Sequence, residues 1–273
     1  MRPFYLKYSK GYREDPSRRN KMLKEQTLPE LSVTMATLAR AAYEDDNKPI
    51  FADLGFKKYK FLDKDGAQGH LAASDTEVVI TCRGTEPSKP NDLIADLNTI
   101  PKKNGIGWVH EGFRKEARKI LVPIMDWVSK NKDKDIYVTG HSLGAAMALY
   151  VTQELEYAGY AVTKLFTFGQ PRLGNKDYVA QIRAQHYRFV NCNDFVTHVP
   201  PRAMQFVHHG ELCYINFYGN VRPLSNYQRF KDMLRAHWRA LKKLELFDAL
   251  RDHSMDNYVN KLTNIRDTSQ DIN

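Results

Sequence analysis

The sequence predicts an α/β sandwich, a mainly parallel sheet covered by helices on both faces. Three observations lead there. Beyond about residue 113, short strand-like runs alternate with amphipathic helical patterns. The strand-like runs are apolar throughout, as expected of strands buried on both faces. The 273 residues, 42% hydrophobic and 27% charged, are also enough to enclose a substantial core.

The elements follow in order. Residues 1–27 are polar and read as an N-terminal arm, leaving 28–273 as one catalytic domain. "LPELSVTMATLARAAY" (28–43) sets Leu31, Met35, Leu38 and Ala42 on one helical face. Strand-like runs follow at 57–62 ("KKYKFL"), 68–74 ("QGHLAAS") and 77–84 ("EVVITCRG"). Residues 113–131 read as a helix kinked at Pro123. Strands are expected at 136–140, 164–169, 187–191 and 212–217, and helices at 143–159 and 175–185, the second including the approach to His186. The stretch 224–250 reads as one or two amphipathic helices inserted before the C-terminal segment.

The formal net charge is +9, concentrated in two segments. Residues 1–25 and 222–251 each hold eight Lys/Arg against three Asp/Glu. Such segments suit a solvated face or an anionic lipid surface; no nucleic-acid module accompanies them, so no nucleic-acid partner is expected. No apolar run reaches the roughly 18 residues a transmembrane helix needs. Cys82, Cys192 and Cys213 form no disulfide framework and no CxxC metal or redox spacing. With no signal-like apolar core near the N-terminus, this favours a reducing, cytoplasmic compartment, or a secreted one if a signal has been trimmed. Neither GxGxxG after a strand nor a P-loop occurs, which removes nucleotide binding.

"DIYVTGHSLGAAMALY" (135–150) carries the chemistry. A GxSxG pentapeptide is weak evidence by itself. Here it joins an apolar strand to a helix-forming run, the strand–turn–helix setting of the α/β-hydrolase nucleophile elbow. The helix start adds N–H groups and partial positive charge beside the Ser142 hydroxyl. A serine needs a base and a group to orient that base, in the chain order Ser, acid, His. Asp194 falls in the loop after a strand, at the sheet edge where Ser142 emerges. Of the later histidines, His253 beyond the insertion is favoured. His198 lies too close to Asp194, His208 and His209 precede a strand, and His237 sits in a helical pattern.

These residues resemble the class 3 lipases, the fungal-type triacylglycerol lipases and their bacterial relatives. The resemblance covers roughly residues 30–262 through "VVITCRGTEP", "NDLIADL", "VHEGF", "VTGHSLGAA", "FTFGQPRLGN", "RFVNCNDFVTHVPP" and "DHSMDNYV", in that order. It implies an α/β-hydrolase fold with Ser142 as nucleophile, Asp194 as acid and His253 as base. It also implies Thr85 and Leu143 as backbone donors to the oxyanion, a role such aligned N–H groups suit. Leu93, Ile94 and Leu97 would form the apolar face of a lid at about 86–98. Asp92 and Asp96 read as anchors of that segment, and His110 and Arg172 as structural. The chain lacks the paired cysteines of secreted fungal members. It adds the basic insertion, expected to wall the acyl site or face lipid. The expected activity is cofactor-free and metal-free hydrolysis of acylglycerols or other carboxylic esters, at a lipid–water interface. Phospholipase A1 and a feruloyl-type esterase are the rival enzymes, and an inactive lipid-binding scaffold the rival from another class.

Overall fold

The computed structural model describes residues 21–44, 47–84, 101–192, 194–221, 225, 227–228, 231–232 and 252–270. Its sheet begins with a hairpin, β1 (Lys58–Lys64) and β2 (Ala67–Ala73), joined by Asp65 and Gly66 at φ 50° and 83°. Two positive φ values in a two-residue loop match the strand twist, and an Asp-Gly pair takes them readily. Next come β3 (Glu77–Cys82), then β4 (Pro101–Asn104) and β5 (Gly107–His110) in a separate hairpin. β6 (Asp135–His141), β7 (Val162–Phe168), β8 (Gln185–Asn191) and β9 (Glu211–Ile215) complete the set. The order across the sheet is β1-β2-β3-β6-β7-β8-β9. Pairing is antiparallel up to β3 and parallel from there on.

Alternation along each strand feeds two cores. Val78, Ile80, Ile136, Val138 and Leu165 face α3 (Glu111–Ser129) and α4 (Leu143–Tyr157). Val79, Tyr137, Phe166, Phe168 and Phe189 face α1 (Leu28–Ala41) and α6 (Met255–Gln270). Between these helices in sequence lie α2 (Lys48–Asp53) and α5 (Lys176–Val179). The expected stripe of α1 is seen: Leu31, Met35, Leu38 and Ala42 are all buried. The N–H of Thr27 donates to the Glu30 carboxylate and closes the start of α1. Residues 21–27, placed by composition in the polar arm, pack on the body: Leu23 is buried, and the Lys24 N–H donates to Glu77.

One expectation is corrected. The helix foreseen at 175–185 is only the four-residue α5. Asn175 caps it by accepting from the Tyr178 N–H, and Tyr178 and Val179 then bury. The chain must next return to the sheet, so His186 lies in β8, opposite Leu165, not in a helix. The helix around Pro123 runs without a break from Glu111 to Ser129. No described helix is long and apolar enough to cross a membrane. Most of the insertion expected at 224–250 lies outside the described residues. Its described residue Asp232 is buried and accepts from the Phe217 N–H, Tyr214 Oη and Cys192 Sγ.

Candidate active site

Strand β6 ends at His141, and the next residue, Ser142, takes φ 57°, ψ −128° at the head of α4. A non-glycine residue held there is strained by about 1–3 kcal/mol. The turn survives because its surroundings fix it: the Ser142 N–H donates to Phe168 O at 3.0 Å. Both flanking glycines are required by close backbone. A Cβ on Gly140 would sit 2.4 Å from Gly144 O, and one on Gly144 would sit 2.3 Å from Cys82 O. The GxSxG spacing is therefore a packing demand of this strand-to-helix turn.

His253 and Asp194 arrive at the same sheet edge from different elements. Asp194 caps a 3-10 turn (Phe195–His198) after β8, and its Oδ1 accepts from the Val196 N–H at 3.1 Å. His253 precedes α6. Its Nδ1 lies 2.9 Å from both Asp194 oxygens, and its Nε2 lies 2.8 Å from Ser142 Oγ. A carboxylate only accepts, so Nδ1 carries the proton and Nε2 is left to receive the serine O–H. Asp194 is wholly enclosed, and Tyr258 Oη donates to its Oδ2 at 2.7 Å. Burial and the adjacent Asp194 charge hold the Tyr258 phenol well above its ordinary pKa, so it remains a donor.

The other described candidates, His198, His208 and His209, make their contacts elsewhere. The carbonyl of His198 accepts from Arg172, whose guanidinium also donates to Pro200 O at 2.7 Å. His208 donates through Nε2 to Thr197 O at 2.8 Å. His209 stacks on His186 at the start of β8, the opposite edge, because β9 is parallel. His110 caps α3 and stacks on Phe113 with ring centroids 3.9 Å apart, a structural placement like that of Arg172. His237, Thr85, Asp92, Leu93, Ile94, Asp96 and Leu97 lie outside the described residues. Leu143 opens the first turn of α4, where N–H groups have no intrahelical partner. With Gln68, Arg83, Gly84, Gly112 and Phe113 it lines a cavity of about 600 Å³.

This constellation has known counterparts. Residues 79–204 match the family model described as lipase (class 3). Over 151 residues the chain is 36% identical to secreted mono- and diacylglycerol lipase A of Penicillium cyclopium. Over 162 residues it is 33% identical to a lipase of Rhizomucor miehei. Across residues 79–204 the chain is similar to the class 3 lipase family. The first match covers 51% of this chain and 49% of that relative, the second 53% and 44%. The chain thus spans about half the length of the relatives it matches. A triacylglycerol lipase structure, 24% identical, aligns with TM-score 0.64 over 84% of this chain and 94% of that one. It shares the α/β-hydrolase fold with this chain.

Sequence reasoning missed several residues that complete this cluster. Tyr258 lies five positions after His253 and one helical turn into α6, so its phenol turns back on Asp194. Gly169 follows β7 at φ 57°, and a Cβ there would lie 2.7 Å from Asp194 Oδ2 and 2.8 Å from His253. Asn191 donates through Nδ2 to Asp252 O at 2.8 Å and holds the backbone beside His253. The one sequence signal was that each lies inside a motif quoted for its neighbours: "FTFGQP", "RFVNCND" and "DHSMDNYV".

Proposed function

We propose that this chain is a serine ester hydrolase that cleaves acylglycerols or other carboxylic esters through an acyl-enzyme on Ser142. The observation that carries the reading is the continuous hydrogen-bonded chain Ser142 Oγ–His253–Asp194, at 2.8 Å and 2.9 Å. His253 Nε2 takes the hydroxyl proton as Oγ attacks the ester carbonyl carbon. The tetrahedral intermediate collapses, and the imidazolium returns that proton to the departing alkoxide. Water, deprotonated by the same nitrogen, then releases the acid and restores the serine. Asp194 keeps the ring in the required tautomer and stabilises its cation. The Leu143 N–H at the head of α4 is the assigned oxyanion donor, with Thr85 as its partner. The steps consume only water and need no cofactor.

Acylglycerol as substrate is supported by the relatives, described as a mono- and diacylglycerol lipase and as a lipase. In this reading Leu93, Ile94 and Leu97 form the apolar side of a flap that opens at a lipid–water interface. The test is Ser142→Ala, assayed with soluble and emulsified esters of several acyl lengths. Hydrolysis is expected to fall by about 10⁴-fold or more in a folded variant. A folded variant that retains wild-type turnover would end the proposal. A rate jump on emulsified substrate supports the flap, and its absence removes it. Preference for glycerophospholipid or feruloyl esters would move the substrate class and leave the chemistry standing.

A further inference from the structure

We propose that His141, between Gly140 and Ser142, is a positioning residue for His253 and is locked as a neutral donor by Tyr43. The inference rests on the hydrolase reading above and adds to it a residue that touches neither substrate nor the reacting atoms. His141 is buried. Its Nε2 lies 2.7 Å from the backbone carbonyl of His253, and a carbonyl can only accept, so Nε2 carries the hydrogen. Its Nδ1 lies 2.9 Å from Tyr43 Oη, which donates to it. Both ring nitrogens are thus hydrogen-bonded.

Two consequences follow for the base. First, its backbone is pinned at consecutive carbonyls, Asp252 O by Asn191 and His253 O by His141. His141 directly precedes Ser142, so one residue ties the nucleophile's strand to the base's backbone and sets the Oγ–Nε2 separation. Second, the His141 ring lies 4.6 Å from the His253 ring, centroid to centroid. His253 becomes a cation twice in each turnover. A second cation at that distance would oppose it, so the neighbour must stay neutral.

On balance the surroundings favour the neutral ring, although the bond to the His253 carbonyl pulls the other way. Burial, then the adjacent His253, hold His141 well below the ordinary histidine range. Tyr43 follows α1, and the Arg83 guanidinium lies 5.6 Å above the Tyr43 ring, adding positive charge. From α6, Tyr258 presents its ring edge-on at 6.1 Å. The Asp194 carboxylate lies beyond His253, at its Nδ1.

The experiment compares wild type, His141→Phe, His141→Gln and Tyr43→Phe, using a soluble p-nitrophenyl ester from pH 5 to 9. Melting temperature and fluorophosphonate labelling are recorded alongside. His141→Phe should lose about 10–100-fold in kcat with KM within about twofold, because a buried carbonyl is left unpaired. His141→Gln supplies an uncharged N–H and should restore most of that loss. Tyr43→Phe keeps the ring beneath Arg83 and frees Nδ1. The acid limb of kcat/KM should then move to higher pH by about half a unit or more. Variants that melt lower but keep wild-type kcat and pH profile would overturn the positioning role. Nitrogen NMR of the imidazoles reads the tautomer without turnover: wild-type His141 should stay protonated at Nε2 alone down to pH 5. Titration of that ring near pH 6.5 would also overturn the proposal. Failure of the hydrolase reading looks different, with wild type neither hydrolysing esters nor taking up fluorophosphonate.

Discussion

Gly169 has no side chain because the Asp194–His253 pair fills that space. A methyl group at this position would meet Asp194 Oδ2 at 2.7 Å and the imidazole at 2.8 Å, on a backbone at φ 57°. Gly169→Ala is therefore expected to push the pair off line and lower kcat by about 10–100-fold, a range typical of small misplacements. Steady-state kinetics with a melting curve checks it; a folded variant at full rate would contradict the packing argument. At this scale the sequence was legible where local chemistry is unusual. Serine between two glycines after a strand, an acid after the next-but-one strand and a late histidine were all readable, and His253 Nε2 meets Ser142 Oγ at 2.8 Å. Tyr258, Asn191 and Gly169 were not, because tyrosine, asparagine and glycine serve equally well in ordinary packing and turns. Their use here depends on contacts spanning 25 to 84 residues.

Among the elements, α1 and α6 come from opposite ends of the described chain and pack on one face of the sheet. Buried apolar surface dominates their hold. Met35→Ala, at a position with no solvent exposure, should cost about 2–5 kcal/mol, read by chemical denaturation. Asp256→Asn removes an ion pair to Arg40 that is open to water and should change stability by less than about 1 kcal/mol. Equal effects would mean that charge, not packing, seats α6. Helical periodicity made α1 legible, and uniform apolarity did the same for β3, β6 and β7. The 175–185 stretch was misread because its helical spacing is also compatible with one capped turn followed by strand. The sheet-wide requirement that β8 lie parallel beside β7 decides between them.

For the whole molecule, buried neutral histidines set the acid limit of stability. Burial pushes His70 down to about 4, and His141, His186 and His208 are lowered by the same cause. An unfolded histidine takes its proton near pH 6.5, whereas the folded His70 takes one only near 4. The stabilisation is therefore complete above about 6.5 and is lost as pH falls towards 4. It amounts to about 1.4 kcal/mol per pH unit per group, or about 3 kcal/mol from His70 alone. Unfolding free energy measured at pH 7.5, 6 and 5 should decline steeply, and a flat profile would refute the buried-neutral account. The architecture was the most legible scale, since alternating apolar strands and amphipathic helices leave few other arrangements. The late arrival of His253 and α6 has one further implication. On the ribosome, a nascent chain can lay down its sheet with the serine and the aspartate already at one edge, yet the hydrogen-bonded chain through His253 closes only after residue 253 and α6 have emerged and docked. A copy interrupted before residue 253 has no imidazole to set beside Ser142, so the order of synthesis itself delays assembly of the cluster.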